Sequence, residues 1–264
     1  VGNLSAVEFS VADGLGVLRL NRPEHRNAID EVMPGDLYEV AQRCAANSGL
    51  RALLITGNGR AFTVGGDVSV FAGAAPGELP AKLRRLTTLY HDALLTLRDL
   101  DAPIVVAVHG AVAGGGLGLL YTADIALAAE GTKFATGFAA LGLSGDGGSS
   151  WFLPRLAGAR RAAELYFEQR VLDAREAAEW GLVTRVVAAD VLDAEATALA
   201  GRLATGPTRA YGEIRALLRQ SWSTTLADQL RAETDAVART AGTRDAGRAI
   251  ASFPSKSAPV FEGH

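Results

Sequence analysis

The sequence predicts an α/β fold with largely parallel strand pairing, and three observations predict it. Short apolar runs alternate with helical patterns through the first half of the chain, an order that favours parallel strands joined by helical crossovers. Two of these runs, Leu53-Leu54-Ile55-Thr56 and Ile104-Val105-Val106-Ala107-Val108, lead into glycine-rich segments, Thr63-Val64-Gly65-Gly66-Asp67 and Ala113-Gly114-Gly115-Gly116-Leu117-Gly118. After about Asp190 the character changes, and amphipathic helical patterns follow one another with no strand candidate between them.

The elements follow in order. Gly16 to Leu20 reads as a strand, and Asp30 can then N-cap a helix that carries Pro34 near its first turn, where proline is tolerated. Ala52 to Thr56 is the next strand. Ala72-Gly73-Ala74-Ala75-Pro76-Gly77-Glu78 reads as a mobile loop, and Leu83 to Leu100 has helical periodicity. Pro103 to Val108 is the third strand, Leu117 opens a short buried helix, and Asp124 to Ala128 is the fourth strand. Leu192 to Ala204, Arg209 to Gln220 and Thr225 to Thr240 are amphipathic helices that can pack on the core or on a neighbouring subunit. The chain therefore divides into a core over residues 1–190 and a helical region over 191–264, without repeats or low-complexity tracts.

Bulk properties narrow the function. A chain of 264 residues is one large domain, or one domain with an appendage, and can bury a sizeable core. A hydrophobic content of 48% with 21% charged residues reads as globular. The net charge of −3 gives no global reason to expect nucleic acid or an anionic membrane as partner. Cys44 is the only cysteine, which excludes an internal disulfide and a cysteine zinc cluster. It lies in the helical stretch Leu37 to Ala46 and reads as a buried structural thiol. The N-terminus shows no basic stretch followed by an apolar core, so no secretory signal is expected. No apolar run approaches the about 20 residues of a membrane span, and a cytoplasmic location is the expectation.

The two glycine segments carry the chemistry. Bare backbone at the ends of two strands lets two N–H groups converge on one carbonyl oxygen, which builds an oxyanion hole without side chains. Glycine also serves tight turns and close strand–helix packing; the pair, with its surroundings, favours the first reading.

Four blocks surround and include these segments: Leu20-Asn21-Arg22-Pro23-Glu24-His25-Arg26-Asn27-Ala28; Leu54 through Asp67; Pro103 through Gly118; and Leu141-Gly142-Leu143-Ser144-Gly145-Asp146-Gly147-Gly148 with Leu153-Pro154-Arg155. In order and spacing, from about Val11 to Gly263, they resemble the crotonase family, the enoyl-CoA hydratases and isomerases. The resemblance implies a crotonase-type ββα superhelix with a helical C-terminal trimerisation region, hence a homotrimer or a dimer of trimers. It implies an acyl-CoA thioester as substrate, with coenzyme A entering as part of that substrate and no separate cofactor or metal. The thioester oxygen would sit between the N–H groups of Gly66 and Gly115, and the helix from Leu117 would point its N-terminal dipole at the developing enolate.

The resemblance also exposes a departure. The family's hydratases use two glutamates, at positions that here hold Gly118 and Phe138. Two-glutamate hydration therefore lacks both its acid and its base. Asp146 is the replacement candidate, in a block that resembles the Gly-Leu-x-Pro-Asp-x-Gly-Gly of the ring-1,2-epoxyphenylacetyl-CoA isomerase branch and related enoyl-CoA isomerases, with Gly145 in place of proline. A single carboxylate suits an isomerase, because one group can remove a proton and return it two carbons away. Read alone, Asp146 before Gly-Gly-Ser-Ser is an Asx-turn or an N-cap. Burial against Phe138 and Trp151 would raise its pKa and make it a better base. His91, in the Leu83–Leu100 helix, is a second catalytic candidate. With Asp146 it matches the histidine and nucleophilic aspartate of 4-chlorobenzoyl-CoA dehalogenase, whose tryptophan is replaced here by Phe138; a packing histidine is the alternative. His109 reads as a local hydrogen-bonding residue, and His25 and His264 as solvated.

For coenzyme A the resemblance points to Arg22 and Arg26, whose forks suit phosphate. It also points to the backbone around Ala61, Val64, Asp67 and Val68, and to Phe253 and Lys256 reaching a neighbour's coenzyme. Phe71, the Ala72–Leu89 region, Phe138 and Trp151 would shape the acyl pocket. The expected activity is double-bond shift through a thioester enolate with one Asp as acid and base. The alternatives are a hydratase, a dehalogenase-like enzyme in which Asp146 attacks and His91 activates water, and a catalytically silent acyl-CoA-binding protein.

Overall fold

A computed structural model describes residues 4–255 and 258–263. The chain opens on a hairpin, β1 (Val7–Ala12) and β2 (Leu15–Leu20), paired from Val7 opposite Leu20 to Ala12 opposite Leu15. Its two-residue turn, Asp13-Gly14, has positive φ at both positions, the geometry that matches the right-handed strand twist. β1 is absent from the sequence reading because most of its residues face solvent and carry no buried alternation.

From β2 onward the main sheet is parallel. β3 (Ala52–Gly57), β4 (Ile104–Val108), β6 (Ile125–Ala129) and β9 (Arg185–Val187) follow it in the spatial order β1-β2-β3-β4-β6-β9. β3 and β4 are buried at every residue, as central strands covered on both faces must be. A second, three-stranded sheet is formed by β5 (Ala111–Ala113), β7 (Lys133–Ala135) and β8 (Leu172–Asp173).

One face of the main sheet is covered by α1 (Met33–Ala46) and α3 (Leu79–Arg98), which pack along each other. Leu37, Val40, Ala41, Tyr90, Ala93 and Leu97 from these helices join Leu18, Leu53, Ile55, Ile104 and Val106 in one core cluster. Asp30 is not the N-cap of α1, which is Val32, but from two residues ahead its Oδ1 accepts from the N–H groups of Val32 and Met33, both at 3.0 Å. α3 begins at Leu79, four residues before the expected Leu83, with Pro80 inside its first turn, where the missing N–H is no loss. Between them α2 (Val68–Ala72) is a single short turn whose N-cap is Asp67. Cys44 is buried on α1, which pushes its thiol up to about 12 and leaves it inert at neutral pH.

α4 (Leu117–Tyr121) is short and buried throughout. α5 (Ser149–Leu156) and α6 (Ala159–Phe167) connect β7 to β8 within the small sheet, and α7 (Ala174–Glu179) leads from it to β9. α8 (Leu192–Ala204) covers the other face of the main sheet, where Leu192, Ala196, Leu199 and Ala200 meet Leu54, Val105, Ala107 and Leu127. α9 (Thr208–Gln220), α10 (Leu226–Ala241) and α11 (Arg244–Ser252) complete the chain. α9 is tied to the core by the buried Arg215, whose Nε lies 2.7 Å from Asp124 Oδ2 and whose guanidinium also donates to the Leu100 carbonyl.

Candidate active site

The two glycine segments meet through backbone bonds of β type. Thr63 N–H donates to Ala111 O and Ala113 N–H donates to Thr63 O, both at 3.1 Å. Ile29 clasps the first segment from the other side: its N–H reaches Gly65 O at 2.8 Å, and Asp67 N–H reaches Ile29 O at 2.9 Å. Gly65 has φ +83, and a Cβ there would stand 2.6 Å from the Ala113 carbonyl oxygen. Close approach of two backbones is therefore what requires glycine at this position.

This join leaves two N–H groups open. Among the described residues, the Gly66 N–H has no hydrogen-bond partner. Gly115 stands in the 3-10 turn Gly114–Gly116 that precedes α4, in the first part of the turn, where N–H groups find no partner within it. Gly66, Gly115 and Asp146 line one cavity with Ile29, Pro34, Phe71, Leu86 and Tyr90.

Asp146 sits on a loop forced into unusual backbone: Gly145, Gly147 and Gly148 have φ +106, +61 and +81, which glycine alone adopts without strain. The loop packs on the second glycine segment. A Cβ on Gly115 would stand 2.8 Å from Asp146 Oδ1, and a Cβ on Gly147 would stand 2.9 Å from Gly115 O. Asp146 Oδ1 is buried and has no hydrogen-bond partner. Burial pushes its carboxyl above the ordinary carboxylate range, and the nearby His91 opposes this without cancelling it.

Two neighbours on α3 hold this arrangement. Tyr90 donates its hydroxyl to Gly115 O at 2.7 Å, and Gly147 N–H donates to His91 Nε2 at 3.0 Å. A backbone N–H can only donate, so His91 Nε2 is unprotonated and its proton is on Nδ1. Burial drives the Tyr90 phenol far above its usual range, with the Asp146 charge adding to the effect. Tyr90 escaped the sequence reading because an aromatic on an apolar helix face reads as core.

The positions of the two family glutamates are occupied by packing. A Cβ on Gly118 would meet Leu94 Cδ1 at 2.7 Å, Tyr90 Oη at 2.9 Å and Gly147 O at 3.0 Å. Phe138 is buried, 6.2 Å between ring centroids from Tyr166, and touches Gly145 and Gly114 positions.

Other candidates fall differently from expectation. Arg22, expected at phosphate, pairs with Asp30 at 3.2 Å and Asp67 at 3.6 Å and donates to the Ala28 carbonyl. It ties the first block to Asp67 at the end of the first glycine segment. Asp67 caps α2, accepting from the Ser69 N–H at 3.1 Å and hydroxyl at 2.6 Å; these bonds, with Arg22 adding, hold its carboxyl below the usual range. Arg26 is exposed, in the left-handed region at φ +51. Ala61 is buried, with its carbonyl taken by Asn27, and Val64 N–H donates to Arg26 O. Val68 is exposed at the start of α2. Asn27, fully buried, proves to be the hub of the segment. Its amide donates to the Asn58 and Ala61 carbonyls, its Oδ1 accepts from Arg22 N–H, and its carbonyl accepts from the Thr63 hydroxyl. Its φ of +54 lies in the left-handed region, which asparagine tolerates well.

Phe71 does line the cavity, its ring covering Gly66. Trp151 does not. It packs 4.7 Å from the Trp222 ring and edge-on to Phe152, with Arg155 and Arg98 over its face at 4.3 and 4.8 Å. The reason is that α5 turns this side chain toward the end of α9. A larger cavity there, lined by Arg98, Tyr121, Phe152, Arg219 and Trp222, contains none of the glycine-segment or Asp146 groups. Phe253 is exposed beyond α11 and does not line the site of its own chain; Lys256 lies outside the described residues.

Comparison with known proteins agrees with the geometry. Residues 10–264 match the family model described as enoyl-CoA hydratase/isomerase. The chain is 34% identical over 253 residues to a 1,2-epoxyphenylacetyl-CoA isomerase of Escherichia coli K12, covering 96% of this chain and 97% of that one. It is 29% identical to 4-chlorobenzoyl coenzyme A dehalogenase-2 of an Arthrobacter species, over 92% of this chain and 88% of that one. The crystal structure of an enoyl-CoA hydratase from Polaromonas sp. JS666 superposes with a TM-score of 0.91 at 30% identity, covering 98% of this chain and all of that one. With the joined glycine segments and the fold that carries them, these matches establish that the chain belongs to the enoyl-CoA hydratase/isomerase, or crotonase, family and has its fold.

Proposed function

We propose that this protein is an enoyl-CoA isomerase that shifts a double bond through a thioester enolate, with Asp146 as its single acid and base. The observation that carries the reading is Asp146 itself: a buried, unpartnered carboxylate oxygen beside Gly115, whereas Asp30, the other carboxylate lining the cavity, is held by Arg22 and the N–H groups of Val32 and Met33. The thioester oxygen accepts from the Gly66 and Gly115 N–H groups. Asp146 takes a proton from the carbon flanking the double bond, and the electron pair of that C–H bond moves through the π system to the oxygen. Collapse of the enolate returns the same proton two carbons away and regenerates the carboxylate. The oxyanion donors oppose charge that exists only as the enolate forms, and each is worth about 3–4 kcal/mol in the transition state.

Arg26, exposed and near the segment that includes Ala61, Val64, Asp67 and Val68, is the cation for the anionic coenzyme. Burial of Asp146 raises its pKa and so improves its strength as a base. A dehalogenase-like role for His91 in activating water is disfavoured by its Nε2, already engaged by the Gly147 N–H. Self-association is supported by Leu226, Leu230, Val237, Ile250 and Phe253, all exposed along the C-terminal helices, a pattern suited to packing against further copies of the chain. Light scattering at a single 27.4 kDa subunit would refute that part.

The test is ultraviolet-monitored turnover of paired 2-enoyl-CoA and 3-enoyl-CoA thioesters by the wild type and by Asp146→Asn. Interconversion lost in the variant supports the isomerase. Water addition that survives the substitution points to hydration by another group, and binding of the thioesters without any turnover points to a silent acyl-CoA-binding protein.

A further inference from the structure

We propose that Tyr90 and His91 form one clamp that sets the Asp146 carboxylate against the Gly115 oxyanion donor, and that the clamp engages only while His91 is neutral. It rests on the reading of Asp146 as base and Gly115 as donor. These two residues are consecutive on α3, yet each grips a different half of the site. Tyr90 holds the carbonyl of Gly115 at 2.7 Å, and His91 holds the N–H of Gly147 at 3.0 Å. The halves belong to separate chain segments, one entering α4 and one leading into α5, and both are rich in glycine, so neither has side chains of its own to fix the spacing. A rigid helix turn between two hydrogen bonds supplies that spacing.

The His91 bond has a direction that makes it conditional. The Gly147 N–H needs a lone pair on Nε2, and a protonated imidazole has none on either nitrogen. Protonation therefore places two donors face to face and releases the Gly147 end of the loop, with Asp146 one residue away. The groups around His91 do not duplicate this effect. Asp146, on the loop, is close enough for His91 to act on its carboxyl; Tyr90 is a phenol on the same helix, with its ring centroid 6.2 Å away. Asp92 is exposed. On α1, packed along α3, Asp36 is taken by the N–H groups of Ser5 and Ala6, and Glu39 by Arg43. His91 is a positioning residue in this scheme, since it touches the loop and not the reacting atoms.

The experiment compares wild type, His91→Gln, His91→Ala, Tyr90→Phe and Asp146→Asn for isomerisation of the paired enoyl-CoA thioesters across pH. A shift of about 1 Å in a reacting group costs about 100-fold, so His91→Ala is expected to lose kcat on that order with KM little changed. Tyr90→Phe is expected to lose less, in kcat again. Glutamine can present an oxygen to the Gly147 N–H and has no proton to gain, so His91→Gln is expected to recover most of kcat and to keep it as pH falls, until Asp146 itself protonates. An acid limb in His91→Gln identical to that of wild type overturns the clamp, as does an unchanged kcat in His91→Ala. Should His91→Ala fail to fold, the pH profile of His91→Gln, at unchanged melting temperature, decides alone. Full activity in Asp146→Asn instead overturns the underlying reading and the clamp with it, whereas loss there with unaltered His91 variants overturns only the clamp.

Discussion

Asp146→Asn should give a protein that is inactive and more stable than wild type. The substitution keeps the shape of the side chain and removes the charge. Loss of a positioned general base costs about 10²- to 10⁴-fold in rate. The stability effect follows from the buried charge: with Oδ1 unpartnered, the carboxylate pays more for desolvation than a neutral amide of the same shape, a difference of about 1–3 kcal/mol. With about 2–4 °C per kcal/mol for a chain near this size, the melting temperature should rise by several degrees at neutral pH. The sign with pH is fixed by the raised carboxyl. Because the folded state binds this proton more tightly than the unfolded state, wild-type stability from this group is fully present below the ordinary value of 3.8 and is lost as pH rises through the raised one. The gap between variant and wild type should therefore open across that window and close in acid. Thermal melts at a series of pH values, beside turnover, read both effects. A variant that melts below wild type at neutral pH, or by a margin independent of pH, would show that the carboxylate is satisfied in solution and refute the reasoning.

Gly118→Glu should not install hydration. Its Cβ collides with Leu94, Tyr90 and the Gly147 carbonyl, so a loss of about 1–3 kcal/mol by overpacking and no water addition to 2-enoyl-CoA are expected; hydration would sink the packing argument. Gly66→Ala drives a methyl into the Phe71 ring, 2.7 Å from Cζ; kcat should fall and be partly restored by adding Phe71→Ala, as steady-state kinetics on the double variant would read. Arg26→Ala should raise KM for the thioester with little change in melting temperature, an effect that weakens at high salt. Arg22→Ala should instead lower the melting temperature by stranding Asp30 and Asp67, at a cost of about 1–3 kcal/mol; a pure KM effect would restore Arg22 to phosphate binding.

Much of the architecture is local in origin. Unbroken apolar runs set β3 and β4, helical periodicity set α8 over Leu192–Ala204, and Thr225 marks a helix start by its own capping bond. The two glycine segments were legible because glycine in two matching blocks is a sequence property, as was the lack of glutamate at positions 118 and 138. Other assignments depended on partners distant in sequence. Arg22 carries the same charge as Arg26, but only Arg22 meets Asp30 and Asp67. Trp151 is two residues from Ser149, yet the helix turns it toward Trp222 and away from the cavity. His91 reads from the sequence as a catalytic or a packing residue; the Gly147 N–H that faces its Nε2 comes from 56 residues away. Sequence thus determined which groups exist and which strands and helices carry them. Tertiary structure alone decided which groups are left unpaired, because a hydrogen bond or a collision depends on atoms a few ångströms apart in space and not on their separation along the chain.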